Sequence, residues 1–355
     1  MQLKQDTHIH STYSDGSWTP RQIVRQANKR GLERIAITDH DSVDGIEEAR
    51  EEAKKYVIKV FNGVELFTEQ IYGDMKINNT EILGYKFDNI ECLAESTRNA
   101  RKERVKKIFS YIDELNKVYE QGRVNEMNEW IEELSKGNEI LLACKLKQQI
   151  DNPISIQSML EHKFNHEIKE EDIEDITNNT TFVTFDIISY MLKHYIQDPE
   201  TIHRTRKSNN QGYEIGGQHI KKLGQIFKKM YKKCVFKDGY KPIGRTQEQA
   251  IHMITDCGGL PFLAHPGIKV KDKIQVRWLD DYDEKKLSPE EWVESLISYG
   301  LKGIELYFYS ENGISEEEGM KANQYFYNLA QKYNLLLTYG TDCHGPQKDR
   351  EPTMG

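Results

Sequence analysis

Gln2-Leu3-Lys4-Gln5-Asp6-Thr7-His8-Ile9-His10 opens the chain as a strand-like run that stops in two imidazoles. Strand side chains repeat every two residues, so His8 and His10 project from one face. Asp15 follows closely. Near the far end, a hydrophobic run over residues 335–339 breaks off in Gly340-Thr341-Asp342-Cys343-His344, and Asp342 and His344 repeat the same spacing. Two pairs of metal-binding side chains at opposite ends of one chain point to ends that meet around metal.

Outward from these anchors, strand-like and helix-like text alternates. Residues 2–8 read as a strand. Thr19 and Pro20 open a helix to about Arg30, with threonine as N-cap and proline in the first turn. Residues 34–38 form a short β-branched run ending at Asp39-His40-Asp41, a helix is expected over residues 43–55, and strands over 57–65 and 80–85. The last 110 residues or so repeat this grammar. Helices are expected over 246–257, 289–299 and 316–333, and strands over 260–264, 303–306 and 335–339. Such alternation predicts a parallel sheet or barrel. The expected division is a catalytic barrel from residues 1–115 and 241–355, interrupted by a mainly helical insertion at 116–240. The insertion is close to neutral, but its charges are polarised: ten bases face one acid between Arg204 and Lys237.

The chain has 355 residues, 37% hydrophobic and 30% charged, which predicts a globular protein rather than a disordered or membrane-embedded one. No apolar run approaches a membrane span, and residues 1–6 lack the apolar core of a signal peptide, so the cytoplasm is the expected location. The five cysteines form no Cys-x-x-Cys pair and read as reduced thiols. A net charge of −8 argues against a generally basic nucleic-acid-coating surface.

The expected strands end at His8/His10, Asp39/His40, Glu65, His265 and Asp342/His344. In α/β barrels, functional residues gather at the C-terminal ends of the parallel strands. Five such ends carrying histidine or carboxylate are what a multi-metal site requires, and nitrogen and oxygen donors without thiolate suit Zn²⁺, Mn²⁺ or Fe²⁺.

The residues resemble a known family. Residues 6–16, Asp-Thr-His-Ile-His-Ser-Thr-Tyr-Ser-Asp-Gly, are similar to the first motif of the PHP (polymerase and histidinol phosphatase) superfamily. Ile37-Thr38-Asp39-His40-Asp41 resembles its second motif and Gly63-Val64-Glu65 its third. Leu263-Ala264-His265-Pro266 and residues 340–345 resemble the later ones. The Ser-Asp-Gly after His-x-His and the Ile82-Leu83-Gly84-Tyr85 stretch look most like the stand-alone PHP phosphoesterases. The resemblance implies a distorted (β/α)7 barrel and a trinuclear centre. His8, His10, Glu65 and Asp342 would hold the first metal. Glu65 would bridge to a second, shared with His265. Asp15, His40 and His344 would hold the third. Asp39, His40 and Glu65 are the expected catalytic group.

One position departs from the family. The residue before Ile-Leu-Gly-Tyr is usually a histidine; here it is Glu81. Either Glu81 ligates the second metal and favours harder cations such as Mn²⁺ or Mg²⁺, or that metal is weakened or missing. Two or three divalent ions (Mn²⁺, Zn²⁺ or Fe²⁺) are therefore expected. Asp39 has two readings, as a group orienting His40 or as a cap on the following helix. Arg98, Arg101 and Arg104 share a helix face. Arg101 and Arg104 are assigned to substrate phosphate, since a guanidinium fork matches phosphate oxygens; a solvated charged face is the alternative.

The reaction implied is phosphate-ester hydrolysis by metal-activated hydroxide. The expected substrate is a phosphate ester of a nucleotide or of an oligonucleotide end, that is, a phosphorylated small molecule or nucleic-acid end, with no membrane association and no obligate protein partner evident. A small-metabolite phosphatase of histidinol-phosphatase type and a non-catalytic metal-bound binding module are the alternatives.

Overall fold

The computed structural model describes residues 4–72, 75–120, 169–179, 245–270, 273–276, 288–307, 316–346 and 354. Most of the segment expected as an insertion, with His162, His166, Cys144, Cys234 and the basic stretch at 204–237, lies outside the described residues.

The chain divides into two units, residues 1–100 with 242–355, and residues 101–241. The first unit opens with β1 (Gln5–Ile9), α1 (Pro20–Lys29), β2 (Arg34–Ile37), α2 (Ile46–Ala53), β3 (Lys59–Tyr72) and β4 (Met75–Tyr85). The long helix α3 (Ile90–Glu120) runs on into the second unit, which also holds α4 (Glu170–Asn179). The first unit resumes with α5 (Gln247–Asp256), β5 (Leu260–Leu263), the hairpin β6 (Gly267–Val270) and β7 (Lys273–Val276), α6 (Pro289–Tyr299), β8 (Gly303–Tyr307), α7 (Glu316–Lys332) and β9 (Leu336–Gly340). Among the described residues, no helix is long and apolar enough to cross a membrane.

Local chemistry accounts for the helix starts. Thr19, Thr246 and Ser288 each accept the backbone N–H three residues on, and Gln22, Gln249 and Glu291 each reach back to the cap N–H. These reciprocal pairs satisfy donors that helix ends leave open. Helix α1 buries Pro20, Ile23, Val24 and Ala27, one stripe at helical spacing.

Seven strands form one sheet in the order β1-β2-β3-β4-β5-β8-β9. The sheet nearly closes: the His10 N–H donates to the Cys343 carbonyl at 2.9 Å, and the Cys343 N–H to the His8 carbonyl at 3.3 Å. This is the barrel expected from the strand–helix alternation. Six strands run one way, but β4 is antiparallel to both β3 and β5. A wholly parallel barrel is thus corrected at one strand, because only two residues separate Tyr72 from Met75 and so short a link joins only antiparallel neighbours. The hairpin β6–β7 was not legible, since Gly267 reads as a stop.

Period-two alternation sorts the strand residues. Ile9, Ile35 and Ile37 pack with Ile23, Val24, Ala27 and Ala49 of α1 and α2. Val64, Leu66, Ile82, Leu263, Ile304 and Leu306 pack with Ile251, Ile254, Trp292 and Phe326 of the later helices. Burying each such large side chain contributes about 1.5–3 kcal/mol. A third set, Ala36, Leu83, Tyr85, Phe262 and Ala264, comes from the alternate positions and fills the barrel interior. His8, His10, Glu65, Glu81 and Glu305 occupy these same alternate positions, so the packing that turns isoleucines and leucines outward turns imidazoles and carboxylates inward.

The expectation of reduced thiols is corrected for one pair. Cys92, in the first turns of α3, and Cys257, the C-cap of α5, form a disulfide with Cα atoms 5.8 Å apart. They are 165 positions apart, so no local spacing betrays the pair. Cys343 keeps its thiol, buried in the cluster that holds the α1 side chains, where its Sγ accepts the Gly345 N–H at 3.4 Å.

Candidate metal centre

The described residues contain three groups of potential ligand atoms, each group lying within 4.8 Å of itself. They are His8, His10, Glu65 and Asp342; Glu65, Glu81 and His265; and His10, Asp15, His40 and His344. All nine residues expected as ligands are brought together here, Glu81 among them, and Glu65 and His10 each belong to two groups.

The first group is the most compact. His10 Nε2 lies 3.1 Å from His8 Nε2, 3.1 Å from Glu65 Oε2 and 2.9 Å from Asp342 Oδ1. His8 Nε2 lies 3.2 Å from Glu65 Oε2 and 3.4 Å from Asp342 Oδ1. Four ligands about 2.0–2.1 Å from a tetrahedral cation would stand roughly 3.3 Å apart. In the second group, His265 Nε2 is 3.1 Å from Glu65 Oε1 and 3.7 Å from Glu81 Oε2. Glu65 thus turns one oxygen to each group. In the third, Asp15 Oδ1 is 3.2 Å from His344 Nε2 and 3.8 Å from His40 Nε2. Exposure grades across the centre: His8, His10 and Glu65 are fully buried, whereas Asp15, His40 and His344 are about a fifth exposed, so the third group faces solvent.

The atoms fit a cation. Glu65 Oε2 lies 3.0–3.2 Å from nitrogens of His40, His10 and His8, yet makes no hydrogen bond. Asp342 Oδ1 and His40 Nδ1 are likewise buried without one. Buried polar atoms normally find hydrogen bonds, and one cation shared among these converging nitrogen and oxygen atoms would satisfy them. The donors are nitrogen and oxygen, as Zn²⁺, Mn²⁺ or Fe²⁺ accept.

The electrostatics agree. Burial alone would push the Asp15 carboxyl up, but the imidazoles of His344 and His40 hold it well below the usual range. Glu65 is held down in the same way, burial being outweighed by His8 and His40. Asp342 is lowered against burial by His344 and His8. Burial would lower His10, yet Asp342 and Glu65 drive it up to about 10. His8 is raised well above its ordinary value against burial by Glu305 and Glu65. The carboxylates together favour positive charge at this point in the fold.

Several groups hold the ligands in place. Asp6 accepts from the Thr341 N–H at 3.2 Å and its hydroxyl at 2.6 Å, tying β1 to the turn after β9. Asp39 does neither of the things read from sequence. Its carboxylate accepts from the Ser11 N–H at 2.7 Å, the Ser11 hydroxyl at 2.6 Å and the Ser14 hydroxyl at 2.5 Å, while α2 is capped by Gly45 without a side-chain bond. Ser14 Oγ lies 3.3 Å from His10 Nδ1, so Asp39 steadies His10 rather than His40. His265 and Asp342 sit at φ +24° and +54°, in the left-handed region. Such strain costs on the order of 1–3 kcal/mol and marks functional sites. A Cβ on Gly340 would come within 2.2 Å of His8 Cβ and 2.3 Å of Glu305 Oε1, so only glycine fits behind them.

Two residues escaped the sequence reading. Glu305 is fully buried, contacts His8 and His265, and contributes no atom to the ligand groups. The signal was an acid on an inward position of the otherwise apolar strand β8. Arg245, nearly buried, pairs with buried Asp41, whose Oδ2 accepts the Phe67 N–H at 3.3 Å. Arg101 and Arg104 lie on α3 in the second unit, Arg101 buried and Arg104 half-buried.

Comparison with known proteins adds the following. The profile described as PHP domain matches residues 6–232. The chain is 45% identical over 355 residues to the phosphoribosyl 1,2-cyclic phosphate 1,2-diphosphodiesterase of Eggerthella lenta, covering 99% of this chain and 97% of that protein. It is 34% identical over 112 residues to a 5'-3' exoribonuclease of Haemophilus influenzae, covering 30% of this chain and 39% of that one. It is 33% identical over 103 residues to the 3',5'-nucleoside bisphosphate phosphatase of Chromobacterium violaceum, covering 29% and 34%. A solved structure from Bifidobacterium adolescentis, named for metal-dependent phosphoesterases, has a similar fold, with a TM-score of 0.52, 21% identity and coverage of 99% and 90%.

Proposed function

The chain belongs to the PHP domain family and hydrolyses phosphoester bonds, and from that premise we propose that its substrate is a cyclic phosphodiester on a phosphorylated ribose. One observation carries the choice. The likeness to the Eggerthella lenta enzyme runs the whole chain, the insertion included, whereas the likeness to nucleotide- and RNA-directed relatives covers less than a third of it. The insertion is the part that distinguishes this chain from a bare barrel, so its partner in sequence is the better guide to substrate.

His8, His10, Glu65 and Asp342 would hold one cation, Glu65, Glu81 and His265 a second, and Asp15, His40 and His344, with His10 beside them, a third. Bound divalent ions supply positive charge to phosphate oxygens and acidify a coordinated water. The chain's own residues do the remaining work. Glu65 lies between two groups and ties their positions together. The carboxylates of the buried groups would neutralise bound cations, while the exposed edge at Asp15, His40 and His344 is where an anionic substrate would arrive. Asp39 and Ser14 fix the His10 ring through its Nδ1 side. Arg101 and Arg104 keep the assignment of donors to substrate phosphate, on the chemistry of the guanidinium fork.

A second reading, a nucleoside bisphosphate or a phosphorylated oligonucleotide end, is favoured by the two partial relatives. A side-by-side assay tests both. The purified protein with Mn²⁺ would be given phosphoribosyl 1,2-cyclic phosphate, a 3',5'-bisphosphonucleoside, 5'-phosphorylated short RNA and histidinol phosphate. The expected outcome is a kcat/KM at least tenfold higher on the cyclic ribose phosphate. Preference for the bisphosphonucleoside or RNA would install the second reading. Bound metal with no turnover on any ester would make the protein a binding module.

A further inference from the structure

We propose that Glu305 is a positioning residue that sets ligand geometry in two groups at once, so that metal binding at the His8 group and at the His265 group is coupled through one carboxylate. This rests on the reading of those groups as metal sites.

Glu305 projects inward from β8 between Ile304 and Leu306, which pack outward. Its Oε1 lies 2.9 Å from His8 Nδ1. Its Oε2 accepts the backbone N–H of His265 at 2.8 Å and lies 3.2 Å from His8 Nδ1. A carboxylate can only accept there, so it holds the proton on His8 Nδ1 and leaves the Nε2 lone pair facing His10, Glu65 and Asp342. The second bond anchors the His265 backbone at its left-handed φ, which aims that ring at Glu65 and Glu81. The two groups therefore share two acids. Glu65 contributes ligand atoms to both; Glu305 contributes none and orients a histidine in each. The missing Cβ of Gly340 makes room for this carboxylate against His8.

Glu305→Gln isolates the role. Two N–H donors face the side chain, and an amide has only one acceptor oxygen. If the amide NH2 turns to His8, it drives the proton onto Nε2 and removes a ligand lone pair. If it turns to His265, it opposes the backbone N–H. Full-length protein would be compared with E305Q and with Glu305→Asp, which keeps two acceptors on a shorter stem. The measurements are metal content after dialysis, stepwise Co²⁺ titration with visible spectra, and circular dichroism. The expected result for E305Q is a native dichroism spectrum, loss of more than one equivalent of metal, a 10–100-fold weaker affinity and an altered Co²⁺ spectrum, with partial rescue in E305D.

Unchanged metal content, affinity and Co²⁺ spectrum in E305Q would overturn the positioning role. Loss of a single equivalent would overturn the coupling. If E305Q fails to fold, E305D carries the test: its shorter stem is expected to weaken metal affinity in both groups by a smaller factor, and weakening confined to one group, or none at all, would overturn the proposal. An unmodified protein that binds no metal would instead overturn the underlying metal-site reading, which keeps the two failures distinct.

Discussion

At the scale of single residues, Glu81 is where this chain speaks for itself. It stands 3.7 Å from His265 Nε2, a carboxylate where the resemblance to the PHP motifs implies an imidazole. Glu81→Ala is expected to lower the metal content of the purified protein by about one equivalent, and Glu81→His to shift competition between Mn²⁺ and Zn²⁺ toward Zn²⁺. Elemental analysis after loading with equal amounts of the two ions reads both effects; unchanged content in the alanine variant would remove Glu81 from the centre. Gly340 offers a steric test. Gly340→Ala forces a methyl against His8 and Glu305 and is expected to cost about 1–3 kcal/mol in urea unfolding, with weakened metal retention. Glu81 was legible because it broke a motif. Asp39 was legible as a residue of the site, but its partners, Ser11 and Ser14, follow from how the segment after β1 folds back, which no spacing rule reports.

At the scale of elements, two ties join neighbouring helices. Arg25 on α1 donates to Glu52 on α2 at 2.8 Å, and Lys55 reaches the same carboxylate at 2.7 Å. Hydrogen bonds from Arg25 and then Lys55 draw Glu52 down from 4.5 to about 2. A carboxyl whose folded pKa is depressed contributes stability that is present above its unfolded pKa and lost as pH falls through the folded one. Glu52→Gln should therefore lower Tm at pH 7, with the gap to the unmodified protein narrowing below pH 4.5. A gap that stays constant down the acid limb would count against the pairing. The disulfide is the second tie. Cys92→Ser is expected to cost about 2–4 kcal/mol, as closing so long a loop implies, and a reductant should lower the Tm of the unmodified protein but not of the variant. Most strands and helices were legible to within a few residues, because period two and period 3.6 are local properties, but β3 runs seven residues past its expected end and β4 begins five before its expected start. The reversal of β4 needed the length of its link to β3, and the hairpin β6–β7 hid behind a glycine that reads as a stop.

At the scale of the whole molecule, both ends of the chain build one centre, so metal should act as a clasp. Ligands that bind only the folded state raise stability by mass action. Stripping with EDTA is expected to lower Tm and abolish phosphoester hydrolysis, and Mn²⁺ to restore both; a Tm indifferent to EDTA would argue that the ends hold together without the ions. Read by itself, the sequence pointed to a parallel sheet or barrel and to histidines and carboxylates at five strand ends, because alternation and strand-end chemistry are written locally, and its resemblance to the PHP motifs implied the nine candidate ligands. Only the tertiary structure decided which residues steady them. His8 and Glu305 stand 297 positions apart, and Cys92 and Cys257 stand 165. Contacts of that kind exist only once the barrel closes, since they depend on which strands become neighbours rather than on what any strand is made of.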